Sequence, residues 1–235
     1  MSTSQTKMVT VVYALGNGSH YRNAELRFSL RSIEKYLSNV ANVVIVGNNP
    51  EGFKNFDHIP AKDPNMVPDT NIFNKLLLAC ESDKVTEDFL FVNDDHFLLD
   101  HFNAADFPYF YCGTLDYYVK SSRIRGLYYR RVESVARKYP DGKFFDVHTP
   151  ILYNKKKFLA LKDLYDYEKG MVIKSLYCNQ YGVTDTEEIT DFKRLEPPNR
   201  PTKMLSTFPR VKASLFRFIE EQFPLASKYE YYSSL

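Results

Sequence analysis

Two adjacent carboxylates, Asp94 and Asp95, follow the apolar run Phe89-Leu-Phe-Val92 and stand between Asn93 and His96. Neighbouring acids repel each other, and each loses solvation when drawn toward a protein interior. A hard divalent cation relieves both costs, and Mg²⁺ or Mn²⁺ favours one or two carboxylates completed by phosphate oxygens. A metal held there neutralises a nucleoside diphosphate leaving group. The competing reading is a solvated turn whose acids face water. A second pair, Asp146 and His148, is separated by one residue, and on an extended segment such side chains project to one side. Either group suits general-base work on an acceptor hydroxyl, and His148 also suits a third metal ligand beside Asp95 and Asp94. A hydrogen-bonded, partly buried histidine without a chemical role is the alternative for His148. His96 reads as structural, pointing away from Asp95 in an alternating strand.

The elements that must position these groups read as an α/β alternation. Residues 8–15, 42–47 and 88–92 are short apolar runs of the kind that fill buried central strands. A helix over 22–37 is expected between the first two, with Leu26, Leu30, Ile33 and Leu37 on one face. Another, capped by Thr70 and running to 81, precedes the third. This β-α-β order implies parallel strands with right-handed crossovers. Ligands bind such sheets beyond the carboxyl ends of the strands, which is where Asn93 and the acid pair stand. At the end of the first strand, Ala14-Leu15-Gly16-Asn17-Gly18 allows close backbone approach to a nucleotide base, although a plain turn explains the glycines as well. Arg22, at the start of the next helix, is placed to reach a diphosphate. Arg27 and Arg31 read as solvated or salt-bridged. A short edge strand is expected near 56–62. Later come an extended stretch at 107–114, partial helix at 126–139, an extended approach at 144–150, and helices over 155–161 and 169–181. Three prolines make 196–201 irregular, and a last helix starts at Thr207 and stops at Pro224.

The chain has 235 residues and a net charge of +2. That length suits one α/β domain, with halves at 8–100 and 101–205 and a C-terminal helix and tail at 206–235. So small a charge does not point to nucleic acid or membrane by itself. Three widely spaced cysteines argue against a disulfide framework and a Cys-rich zinc site. A polar N-terminus and the lack of any apolar run of about 18 residues give the expectation of a cytoplasmic protein without a transmembrane segment. Residues 117–131 mix Tyr with Lys and Arg. This reads as a surface loop and helix with snorkelling arginines, or as a face for a glycan, the nucleotide or DNA.

The run Glu25-Leu-Arg-Phe-Ser-Leu-Arg-Ser-Ile-Glu-Lys-Tyr36, followed by Asn42-Val-Val-Ile-Val46, resembles the first helix and second strand of the Stealth family of sugar-phosphate transferases. Val92-Asn93-Asp94-Asp95-His96-Phe97 is similar to the family's Asn-Asp-Asp turn, Asn71-Ile-Phe-Asn-Lys75 to the helix before it, and His148-Thr149-Pro150 to its His-x-Pro block. The resemblance implies a GT-A-like, Rossmann-type fold: a mostly parallel central sheet, flanking helices and a C-terminal helical extension. It implies that Asp94 and Asp95 handle metal and nucleotide, that His148 sits in the active site, and that Lys174 and Asn179 touch donor phosphates. The chain departs from the family where a Trp-containing motif usually follows the first strand; here that place reads Tyr13-Ala-Leu-Gly-Asn-Gly18. The expected activity is a metal-dependent glycosyl transfer from a nucleotide sugar, taken as a UDP-sugar, to a glycan or a modified DNA base. Sugar-1-phosphate transfer and a non-catalytic nucleotide- or glycan-binding module are the alternatives.

Overall fold

Strand β1 (Val9–Leu15) is apolar on both faces because both faces are covered. Helix α1 (Ala24–Tyr36) and the two-residue strand β2 (Leu37–Ser38) lead to β3 (Val40–Gly47), which runs parallel to β1. β4 (Asp57–Pro60) adds a parallel edge beside β3. Helix α2 (Pro68–Glu81) then carries the chain back to β5 (Asp88–Val92), parallel to β1 on its other side. Past the acid turn come β6 (His96–Leu98), β7 (Phe102–Asn103), β8 (Tyr109–Tyr111), α3 (Leu115–Lys120) and α4 (Gly126–Ala136). β9 (Ile151–Asn154) joins the main sheet antiparallel to β5, giving the order β4-β3-β1-β5-β9. The rest comprises α5 (Lys155–Leu159), α6 (Ile173–Gln180), β10 (Thr186–Glu188), β11 (Lys193–Arg194), β12 (Met204–Thr207) and α7 (Ala213–Gln222). This computed structural model describes residues 7–16, 23–121 and 124–231.

The alternation of side chains along β1 separates two cores. Val9, Val11, Tyr13 and Leu15 belong with Leu26, Leu30 and Ile33 of α1, and the Tyr13 hydroxyl lies 2.8 Å from Ser29 Oγ. Val12 belongs instead with Phe73, Leu76 and Cys80 of α2. The two helices therefore cover opposite faces, and the chain reverses its direction of winding between β1 and β5. That is the switch point at which open α/β sheets form a ligand crevice.

Several expectations change. Residues 204–207 form β12, paired antiparallel with β6, so the last helix starts at Ala213. Helix α7 is packed rather than appended: Leu215, Ile219 and Phe223 cluster with Phe28, Phe97 and Leu205. Helix α6 starts at Ile173, after Gly170 takes a φ of +72° that ends any earlier helical run. Of the two readings open for Arg31, solvated or salt-bridged, the salt bridge holds. Arg31 makes two 2.7 Å bonds to the buried Glu230 carboxylate and one to the Phe223 carbonyl, with Arg27 3.4 Å from the same carboxylate. Among the described residues no helix is long and apolar enough to cross a membrane.

Candidate functional site

The acid turn is built from both sides. Strand β5 ends at Val92, and the Asn93 N–H donates to Nδ1 of the buried His96, while the His96 N–H returns to the Asn93 carbonyl. His96 thus closes the turn on itself, and its Nε2 lies 4.0 Å from Asp95 Oδ1. Burial, then the neighbouring Lys174, His148 and Lys193, holds this ring well below the usual histidine range. The pairing of β6 with β12 brings Ser206 opposite His96, and the Ser206 hydroxyl donates to Asp95 Oδ2 at 2.8 Å. Asp94 has no ion-pair partner among the described residues. Its carboxyl is pushed up to about 7, first by burial and then by Asp95 and Glu25, against N–H groups of Asp94 and Asp95 that favour the charged form. Both acids line a cavity of about 280 Å³ with Ala14, Asn93, Lys193 and Phe208.

A second cavity of about 230 Å³ adjoins it, and Ile72 and Asn93 line both. Asp146 and His148 reach this cavity because β9 is antiparallel. Ile151 pairs with Phe91, so the segment leading into β9 arrives at the carboxyl end of β5. Helix α6 fixes that segment with three side chains. Asn179 bonds both main-chain groups of Lys143, Ser175 Oγ accepts from the Phe145 N–H, and Lys174 Nζ donates to the Val147 and Thr149 carbonyls at 2.6 Å each. A buried extended segment needs such partners wherever no strand supplies them. Burial drives the Lys174 ammonium below its ordinary range, while Asp146, Asp191 and Asp95 work the other way.

His148 is held at both nitrogens. Nδ1 lies 2.5 Å from Asp191 Oδ2, the His148 N–H donates to Asp191 Oδ1, and Nε2 lies 2.9 Å from Lys193 Nζ. Burial works to raise the Asp191 carboxyl. The bond from the His148 ring, together with the N–H groups of His148 and Lys193, outweighs it and holds Asp191 below the usual carboxylate range. Asp146 accepts from the Tyr128 hydroxyl at 2.6 Å. Asp69 lies beside it, with Arg131 at 3.1 Å, and its carboxyl is pushed up to about 6 by burial first and Asp146 second. Tyr153 lines this cavity, and its buried hydroxyl has no hydrogen-bond partner among the described residues.

The sequence-derived candidates therefore divide. Asn93, Asp94, Asp95 and Ala14 meet in one cavity, and Asp146, His148 and Lys174 in the next. Lys174 ties down the His148 turn and does not present a free ammonium; Asn179 likewise serves Lys143. The Leu15 side chain is buried on the α1 face, and its carbonyl accepts from the buried Lys75, which also pairs with Asp63 at 2.5 Å. The close approach at Gly16 is to that ion pair, because a Cβ there would sit 2.9 Å from Asp63 Oδ2. Asn17, Gly18 and Arg22 lie outside the described residues. The stretch read as a basic surface turns Tyr128 and Arg131 inward. Sequence reasoning missed Asp69, Tyr128, Asp191, Lys193 and Ser206.

The acid pair suits a hard divalent ion: two carboxylates, with no cation paired to Asp94 among the described residues and its proton affinity raised by burial and then by the neighbouring acids. His148 does not join them, since both its nitrogens are engaged elsewhere. Among the described residues no group of three or more His, Cys, Asp or Glu side chains is gathered to hold a metal. A metal at Asp94 and Asp95 would need its remaining positions filled by water and phosphate oxygens. No protein-family model and no curated protein matches this chain, so what it resembles rests on its own fold and cavities.

Proposed function

We propose that the chain is a metal-dependent glycosyltransferase of GT-A-like fold, moving a sugar from a nucleotide-sugar donor, of UDP type, to an acceptor hydroxyl. One observation carries this reading: Asp94 and Asp95 stand at the switch point between β1 and β5 and line a cavity there. A crowded acid pair at a strand end is costly unless a cation and phosphates complete it. Mg²⁺ or Mn²⁺, when bound, supplies neutralisation of the departing nucleoside diphosphate. Asp94 and Asp95 are the protein's ligands for it, and the Ser206 bond fixes the orientation of Asp95. The second cavity receives the acceptor. There the Asp191 carboxylate orients the His148 ring and steadies it if Nε2 takes the acceptor's proton, the division of labour of an acid–histidine pair. Asp146, already accepting from Tyr128, orients the hydroxyl. The acceptor is a glycan hydroxyl or a modified DNA base.

A thermal-shift screen of UDP-, GDP-, CDP- and ADP-sugars, with and without Mn²⁺, tests the reading. A donor at a hundred times its Kd should stabilise the protein by about 2.7 kcal/mol, only with metal, and Asp95→Ala should abolish the response. An Asp95→Ala protein that turned over donor at the normal rate in EDTA would sink the proposal. Product analysis separates the Stealth-like alternative: glycosyl transfer releases a nucleoside diphosphate, and sugar-1-phosphate transfer releases a monophosphate. Metal-dependent donor binding without turnover across acceptor panels would indicate a binding module.

A further inference from the structure

Lys193 belongs to both cavities at once. It lines the cavity of Asp94 and Asp95, yet its ammonium lies 2.9 Å from Nε2 of His148, a ring that lines the other cavity. The sheet sets this position. β11 pairs with β12 so that Lys193 stands opposite Ser206, the residue that bonds Asp95. The Phe208 ring, itself in the donor-side cavity, lies with its centroid 5.0 Å from the Lys193 ammonium. Lys193 makes no ion pair with a carboxylate among the described residues.

An ammonium has donors only. Lys193 must therefore donate to Nε2, and His148 must donate from Nδ1 to Asp191. In this arrangement the lone pair that an acceptor hydroxyl would need is covered. A bond from an ammonium to a diphosphate oxygen is stronger than one to a neutral ring nitrogen, because both partners are charged. The four-carbon lysine stem has the freedom to swing between the two.

We propose that Lys193 is a donor-phosphate contact, and that its transfer from His148 Nε2 to the diphosphate uncovers that nitrogen for the acceptor. The proposal rests on the glycosyltransferase reading, and it makes donor binding the event that readies the acceptor cavity. Lys193 acts on the donor directly and on the acceptor through His148.

The test is calorimetric titration of UDP, GDP, CDP and ADP with Mg²⁺ into the wild type, Lys193→Met and Lys193→Arg, with the His148 ring nitrogens followed by NMR. Thermal unfolding of each variant checks that it folds, and the arginine variant keeps the charge if the methionine variant does not. At least one diphosphate should bind the wild type. Lys193→Met should weaken that binding by about tenfold to a hundredfold, and Lys193→Arg should retain most of it. The wild-type Nε2 resonance should move on diphosphate addition, whereas in Lys193→Met it should already stand at the uncovered position and stay there. Binding by Lys193→Met equal to wild type would overturn the inference and leave the glycosyltransferase reading intact. So would a wild-type Nε2 resonance unmoved at saturating diphosphate. If none of the four diphosphates bound the wild type, the underlying reading would fall, and the inference with it.

Discussion

Asp94 carries the largest electrostatic cost in the donor-side cavity. Its folded carboxyl stands at about 7, against an ordinary value of 3.8. A raised acid contributes stability that is fully present below its unfolded pKa and is lost as pH rises through the folded one. Metal-free wild type should therefore lose stability between about pH 4 and about pH 7 through this residue. Asp94→Asn keeps the shape without the charge. It should be more stable than wild type at pH 8 in EDTA, by about 1.4 kcal/mol for each tenfold difference in proton affinity between the folded and unfolded carboxyl. That advantage should vanish toward pH 4. The variant should also lose the stabilisation that Mn²⁺ with donor gives wild type. Urea unfolding at the two pH values, with and without Mn²⁺ and donor, reads both effects, and an asparagine variant less stable than wild type at pH 8 would show that the cost of burying Asp94 beside other acids is wrongly assigned. His148 makes a contrasting residue. Its partners Asp191 and Lys193 lie 43 and 45 positions away in a stretch without hydrophobic period, so its spacing from Asp146 was readable and its bonding was not.

Elements position the site through a few close contacts. Gly47 ends β3 opposite Leu15 with a φ of +124°, and a Cβ there would lie 1.9 Å from the Leu15 carbonyl oxygen. That same carbonyl accepts from Lys75, so the end of β1 is boxed in. Gly47→Ala should cost at least about 2 kcal/mol in strain, read as a lower urea midpoint, and should disturb the cavity at Ala14. A second prediction concerns the α6 side chains that replace a missing strand. Asn179→Ala leaves the Lys143 N–H and carbonyl without these partners and should cost about 1–3 kcal/mol. It should also lower donor turnover, because the segment it anchors carries Asp146 and His148. The central strands were legible because β1, β3 and β5 are continuous apolar runs, covered on both faces. β9 and β12 were not. Each is four residues long, and each is a strand only because of a distant partner: Phe91 for Ile151, and Leu98 for Met204. The acid turn could thus be placed at a strand end from sequence. Its roof of Ser206, Lys193 and Phe208 required the pairing of β6, β12 and β11, which no local pattern announces.

At the scale of the molecule, opposing titrations set where the fold is firmest. Glu230 is held below its usual range by Arg31 and the Ser227 N–H and hydroxyl, although burial pulls it up, and Asp191 is depressed in the same sense. Depressed acids contribute stability that is present above their unfolded pKa and is lost as pH falls through the folded one. The Glu230 clamp joins α1 to the C-terminal segment through Arg31, so acid should release that segment, and Arg31→Met should release it at neutral pH. Breaking the Arg31 side leaves Glu230 with Arg27 alone, 3.4 Å away, and should cost up to about 3 kcal/mol, seen as earlier unfolding and faster proteolysis beyond Phe223. Asp69 and Asp94 oppose this trend, since their raised carboxyls, at about 6 and about 7, cost more as pH rises. The metal-free protein should therefore have its highest thermal midpoint at about pH 4, where the loss through Glu230 on the acid side meets the loss through Asp69 and Asp94 above it. Mg²⁺ with a bound nucleoside diphosphate favours ionised Asp94 and should flatten the fall in midpoint between about 6 and about 7, while leaving the fall through Asp69 up to about 6 and the acid limb set by Glu230 in place. Thermal scans from about pH 3 to about pH 9, with and without both additions, read that slope directly. A slope between about pH 6 and about pH 7 that stays unchanged while the ligand binds would mean that Asp94 is not where the cation acts.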